Sequence, residues 1–132
     1  MKPSQLLKAT PSKVKTAAKS VRITKGTRSH LKNGKLRLAA VVSSRSRSNV
    51  KHKVVIESVN KNVDALHDTD VRVWCDCEFF TYYGCSDVLP LYNAGFKNKA
   101  TGIMPDIRNP KKVPMVCLHI TRVLNAVIRT GK

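Results

Sequence analysis

Residues 71–77 read VRVWCDC, and the pattern of this stretch predicts more about the fold than that of any other. Apolar and polar residues alternate along it, which is the pattern of a half-buried β-strand. Because successive side chains of a strand point to opposite faces, the two valines and the two cysteines share one face. Two thiols that lie two residues apart on one face can reach the same ion, so Cys75 and Cys77 are candidate metal ligands.

A second pair of candidate ligands, Cys117 and His119, lies at the start of a helical pattern. Residues 119–129 read HITRVLNAVIR, with apolar residues spaced three and four apart along one helix face. We therefore predict a helix over 119–129, with Gly131 as its stop signal. A loop that turns into this helix can direct both side chains to one point.

The two pairs together make a Cys₃His donor set. Protein ligands would fill all four positions of a tetrahedral zinc ion, which is typical of structural rather than catalytic sites. The chain shows no secretory signal, so its thiols are expected to be reduced, and metal binding is favoured over disulfides. Residues 86–116 are punctuated by Gly and Pro, and zinc would close this long loop by joining residue 77 to residue 117.

Other assignments of the cysteines and histidines remain open from the sequence. Cys85 either replaces one of the ligands or fills the core as a small apolar side chain. His67 is a second-choice ligand, and His52, which lies among lysines, is expected to be a surface residue. The alternative to a metal site is a set of reduced, buried thiols with an unrelated surface histidine.

The Cys75-x-Cys77 and Cys117-x-His119 pairs resemble the SWIM-type zinc finger. The resemblance implies a β-β-α arrangement, with C-x-C on a strand and C-x-H at the helix start. It also implies a protein that binds DNA or other proteins and is not an enzyme. The gap between the two pairs is longer here than in that family.

A wider pattern resembles a variant of this finger in uncharacterised proteins of tailed bacteriophages. In that variant, C-x-C-x-x-F-x-x-Y-x-C precedes a Gly/Pro-rich stretch that ends in N-P and is followed by C-x-H. The matching residues are Cys75, Cys77, Phe80, Tyr83, Cys85, Asn109, Pro110, Cys117 and His119. The resemblance covers residues 68–129 and does not extend to residues 1–60.

The charge of the chain is concentrated in its N-terminal half. The net charge is +17, and residues 1–56 hold fifteen Lys or Arg and no acidic residue. Such one-sided charge predicts a polyanionic partner, which is nucleic acid, an acidic protein surface or an anionic membrane. The residues that we expect to bind nucleic acid or a protein partner are Lys13, Lys15, Lys19, Arg22, Lys25, Arg28, Lys32, Lys35, Arg45 and Arg47.

The predicted fold class is α+β. Strands over 36–42, 50–59 and 70–76 form a small three-stranded antiparallel sheet, which zinc joins to the C-terminal helix. Residues 1–35 are predicted as an extended basic N-terminal arm, and residues 36–132 as the SWIM-like zinc-binding domain.

Within the arm, residues 12–20 have the composition of a short helix, and Asn33-Gly34 is a turn signal. Residues 43–49 read SSRSRSN and are expected to form a solvated hairpin loop, with an RNA-binding segment as the alternative. We expect the clustered aromatic residues of 74–96 to fill the core around the zinc rather than to stack on bases.

Catalysis is not expected, because no phosphate-binding loop, nucleophile elbow or zinc-deaminase signature occurs. We expect a non-enzymatic, zinc-stabilised structural protein of a large assembly, such as a tailed-phage virion, whose basic arm binds neighbouring subunits or nucleic acid. The alternative is a nucleic-acid-binding accessory protein with sequence-independent phosphate contacts. No membrane or small-molecule partner is expected, and the predicted location is the virion or the host cytoplasm.

Overall fold

The structure is a computed structural model that describes residues 1–44, 50–82, 85–96 and 113–131. It is an α+β fold with a four-stranded antiparallel sheet and a C-terminal helix. The elements in chain order are α1 (Pro3–Ala9), α2 (Ser12–Ala17), a 3₁₀ turn (Ala18–Ser20), β1 (Ile23–His30), β2 (Lys35–Ser43), β3 (Lys51–Lys61), β4 (Val71–Cys75), α3 (Glu78–Tyr82), α4 (Cys85–Val88), a second 3₁₀ turn (Leu89–Tyr92) and α5 (Leu118–Thr130).

The sheet is a simple meander in the order β1-β2-β3-β4. The predicted turn at Asn33-Gly34 joins β1 to β2, and Gly34 has a φ of 87°, which a residue with a side chain rarely adopts. The three predicted strands correspond to β2, β3 and β4, and the predicted C-terminal helix corresponds to α5. The predicted strand count was wrong, because β1 adds a fourth strand at the edge.

The core lies between one face of the sheet and the helices. Alternate residues of the two central strands and β4, such as Val54, Ile56 and Val73, are fully buried. The apolar stripe of α5 covers them, with Ile120 and Leu124 also fully buried. The opposite face of the sheet carries half-buried and exposed side chains along β2 and β3.

The prediction of an extended N-terminal arm was wrong. Residues 3–30 form α1, α2 and β1, and Leu6 and Val21 are 0% and 1% exposed within the common core. The backbone N–H of Val116 donates to the Thr10 hydroxyl at 3.2 Å, and the Arg122 Nε donates to the Val21 carbonyl at 3.2 Å. The few apolar residues of this segment therefore pack against α5, while its cations lie on the surface.

The two edges of the sheet differ. At β4, the backbone N–H of Val71 donates to the Met1 carbonyl, and that of Val73 donates to the Ala94 carbonyl, both at 2.9 Å. These contacts cover the β4 edge, whereas β1 ends the sheet on the other side and has exposed residues along nearly its whole length. Within the described ranges, no helix has the length and apolarity needed to cross a bilayer.

Candidate metal centre

The four predicted ligands converge where β4 ends and α5 begins. Cys75 is the last residue of β4, and Cys77 lies just before α3. Cys117 occupies the N-cap position of α5 with an extended backbone (φ −75°, ψ 170°), so the chain turns sharply there into the helix. His119 lies in the first turn of the same helix. The strand end and the helix start thus each supply two donors to one point.

The donor atoms of these four residues lie within 4.8 Å of one another. Four ligand atoms placed tetrahedrally around one zinc ion, at about 2.0–2.3 Å from it, are about 3.3–3.8 Å apart. Small side-chain adjustments therefore bring the cluster to the spacing that such an ion requires. Cys75, Cys77, Cys117 and His119 are all buried, which explains how an ion here would be shielded from water.

The histidine gives an independent sign that a ligand belongs at this point. His119 is 5% exposed, and among the described residues neither of its buried ring nitrogens has a partner within hydrogen-bonding geometry, although the ring is close enough to Cys77 to help lower the pKa of that thiol. A buried polar atom without a partner costs about 1–3 kcal/mol. Coordination of a metal by one nitrogen would remove part of that cost, so the residues present fit a metal ion.

The acidities of the thiols are unequal. Hydrogen bonds from the Cys117 and Cys75 thiols lower the pKa of Cys77 far below its ordinary value. Burial, together with the neighbouring sulfurs, raises the pKa of Cys117. The Phe80 backbone N–H also donates to the Cys77 sulfur at 3.4 Å, which favours negative charge on that sulfur. A bound cation would replace the remaining thiol protons.

The alternative ligands considered from the sequence lie outside this cluster. Cys85 is buried in the hydrophobic core, and burial raises the pKa of its thiol to about 12. It therefore behaves as a small apolar side chain. His67 is half-buried with an Nδ1 that lacks a hydrogen-bond partner, but it is not one of the four clustered residues.

Two residues that sequence reasoning did not place at the site border it. The His52 ring lies 4.5 Å from the His119 ring, centroid to centroid, at an interplanar angle of 48°. Its Nδ1 is 3.0 Å from the Asp76 Oδ1, which also accepts the Lys53 backbone N–H at 3.1 Å. Because a carboxylate only accepts, His52 carries the proton on Nδ1. Val54 on β3 pairs with Cys75 on β4. This pairing brings the start of β3, and with it His52, beside the C-x-C pair.

The predicted basic contact residues do not gather at the metal centre. The eight that the structure describes lie on α2, the following 3₁₀ turn, the link from that turn to β1, β1 itself, the β1–β2 turn and the first residue of β2, and Arg45 and Arg47 fall outside the described residues. Six of the eight are exposed, namely Lys13, Lys19, Arg22, Lys25, Arg28 and Lys32, and Lys15 and Lys35 are half-buried. The guanidinium of Arg28 donates to the Asp64 carbonyl at 2.7 Å.

No family model, curated protein or solved structure matches the chain. The resemblance to a zinc finger therefore rests on the four-residue cluster itself, which is compatible with such a finger.

Proposed function

We propose that the cluster binds one structural zinc ion and that the chain is a non-enzymatic module that binds nucleic acid through its phosphates. Three thiolates and one imidazole are a donor set that suits zinc, and the four protein ligands would leave no open position for water or substrate. The buried ring nitrogens of His119, which have no hydrogen-bond partner in the part of the chain that the structure describes, support the metal assignment. In this proposal the ion holds the sheet and α5 together and takes no part in chemistry.

The observation that carries the binding proposal is the state of the basic residues of the N-terminal half. None of the eight described candidates forms an ion pair with a carboxylate within the described ranges. Four of the acidic residues already have other partners, since Asp70 pairs with the N-terminus, Asp68 with Lys2, Glu57 with Arg37 and Asp76 with His52. Exposed cations without carboxylate partners favour a polyanion, and the phosphates of nucleic acid supply one.

The test is the salt dependence of binding, measured by fluorescence anisotropy with labelled DNA. We expect the logarithm of the association constant to fall linearly with the logarithm of salt concentration. Each phosphate contact should contribute about −0.9 to the slope on duplex and about −0.7 on a single strand. Binding that is undetectable at low salt, for the zinc-loaded protein, would reject the nucleic-acid proposal and leave the metal proposal untouched.

A second candidate is a structural subunit of a large assembly, such as a tailed-phage particle. The outer edge of β1 favours it, because no strand of the described residues pairs with that edge, and the backbone groups of an edge strand can pair with a strand of another chain. Sedimentation of the purified protein separates the two candidates. Concentration-dependent assembly without nucleic acid supports the subunit, and a monomer that binds DNA with a steep salt slope supports the binding module.

A further inference from the structure

The sheet has a face that no helix of the described structure covers. The cross-strand registers place Lys25, Val41 and Lys53 in one row of that face, and Thr27, Ala39 and Val55 in the next. We call these six residues the open face. Their neighbours in sequence, such as Ala40 and Val54, point the other way into the core. The open face therefore has a floor of small and branched side chains with a lysine on each side, and opposite Val55 its second row continues to the half-buried Trp74 on β4.

This floor is a shallow depression. A cavity of about 300 Å³ lies over it, lined by the open face and by the adjoining Ala40 and Val54. The depression exists because Thr27 and Ala39 are small where larger side chains would fill the space. Lys25 on β1 and Lys53 on β3 stand two strand spacings apart, roughly 10 Å at 4.7–4.9 Å per strand. Both lysines are exposed.

The charges around the open face reinforce the two lysines. The next row along the same side of the sheet contains Arg37, Glu57 and Arg72. Glu57 is 6% exposed and forms an ion pair with Arg37 at 3.1 Å, so its charge is already compensated. Arg72 donates to the Asn93 side chain at 2.9 Å and has no carboxylate partner in the described part of the chain. Asp76 lies beside Lys53 and forms an ion pair with His52. The cations outnumber the carboxylates, so the surroundings are net positive and complementary to an anion.

We infer that the open face is the nucleic-acid-binding surface and that it takes a single strand; this inference rests on the proposed function. A single strand offers bases that can lie on an apolar floor while its phosphates meet flanking cations. A duplex turns its phosphates outward and keeps its bases paired inside, so it would leave the apolar floor without a partner. The width between Lys25 and Lys53 suits one chain lying along β2.

The experiment reverses the two lysine charges and compares the result with a matched control. The test variant is Lys25→Glu with Lys53→Glu, and the control is Lys8→Glu with Arg129→Glu. The control makes the same change in net charge at exposed positions on α1 and α5, at residues that are not among the predicted binding residues. Anisotropy of a labelled oligothymidine and of a duplex of equal length would be measured over a series of salt concentrations, with zinc-loaded protein.

We expect the wild type to bind the single strand more tightly than the duplex. The test variant should lose at least tenfold in single-strand affinity, and its salt slope should become shallower by about 1.4, which is two phosphate contacts at about 0.7 each. The control should lose less and keep its slope. Because charge reversal on two strands could disturb folding, Lys25→Gln with Lys53→Gln provides a milder variant, for which the same change in slope is expected.

The outcomes separate this inference from the function on which it rests. Equal losses in the test and control variants would place the phosphate contacts elsewhere and overturn the inference, while the proposed function would stand. Tighter binding of the duplex would overturn the single-strand assignment. If the wild type bound neither probe at low salt, both the inference and the nucleic-acid proposal would fail.

Discussion

The cluster of Cys75, Cys77, Cys117 and His119, here called the metal corner, and the β1 edge belong to the same fold but differ in burial and in charge. At the corner, three cysteines and a histidine are almost entirely buried with their donor atoms within 4.8 Å of one another. Along β1, every residue after Ile23 is exposed, and Lys25 and Arg28 lie there without a carboxylate partner in the described structure. The comparison shows that buried donor atoms are gathered at one end of the sheet, whereas exposed cations are gathered at the other. The predictions below test whether the two ends depend on each other.

The largest effect is expected for Cys117→Ser, which removes a fully buried ligand at the start of α5. Zinc binding contributes about 10–16 kcal/mol in small zinc-dependent folds, as much as the whole stability of a typical domain. We expect the variant to lose stoichiometric zinc and to be largely unfolded. Native mass spectrometry would measure the zinc content, and circular dichroism would measure the folded fraction.

Cys85→Ala is the matched control for that experiment. Cys85 is also buried, at 1% exposure, but lies outside the cluster. It should keep one zinc per chain and lose only the modest stability that follows from removing one buried sulfur. Loss of zinc in the Cys85 variant, or its retention in the Cys117 variant, would mean that the ligand set is wrong.

The next effect tests whether the basic segment belongs to the fold that the metal anchors. Leu6 is fully buried against the core although it lies in the segment first predicted as an arm. Leu6→Ala should lower the free energy of unfolding by about 2–5 kcal/mol, measured by urea denaturation of the zinc-loaded protein. Leu91→Ala, at a leucine that is 62% exposed, should change it by less than about 0.5 kcal/mol. Equal, small effects would indicate that α1 is not part of the cooperative unit.

The sequence predicted the regular parts of the fold and missed the elements without an apolar pattern. The alternation at 71–77 and the stripe at 119–129 are strong signals because each element buries one face. Residues 23–30 read ITKGTRSH and show no such alternation, since both faces of β1 are exposed. Backbone pairing with β2 holds this strand, together with hydrogen bonds of Arg28 and His30 to the carbonyls of Asp64 and Val63. Neither kind of contact produces an apolar pattern in the sequence. Likewise, α1 packs into the core through Leu6, and one buried leucine is not enough to produce a periodic apolar pattern in the sequence.

The four clustered residues of the candidate site could be predicted from the sequence, but the residues that surround them could not. The C-x-C and C-x-H spacings depend on local geometry, which a strand end and a helix start determine by themselves. The contact between His52 and His119 depends instead on the register of β3 against β4. Register is a tertiary property, because it is set by which faces are buried across two strands and not by either strand alone. His52 consequently looked like an ordinary surface residue.

The smallest effect is expected at His52, which touches the metal corner without supplying a ligand. Its ring lies against His119, and its Nδ1 donates to Asp76, the residue between two of the cysteine ligands. Groups that orient metal ligands typically contribute 10–100-fold to metal affinity. His52→Ala should therefore weaken zinc binding by about that factor in competition with a chromogenic chelator, while the protein stays folded at excess zinc.

His30→Ala is the control for His52, because His30 is an exposed histidine on β1 whose ring hydrogen-bonds only to the Val63 carbonyl among the described residues. It should leave the zinc affinity unchanged. If both variants bind zinc like the wild type, His52 is a bystander and the four ligands orient themselves through the strand end and the helix start. If the His30 variant also weakens zinc binding, the β1 edge and the metal corner are coupled through the sheet. Charge substitutions on β1 would then also lower the zinc affinity.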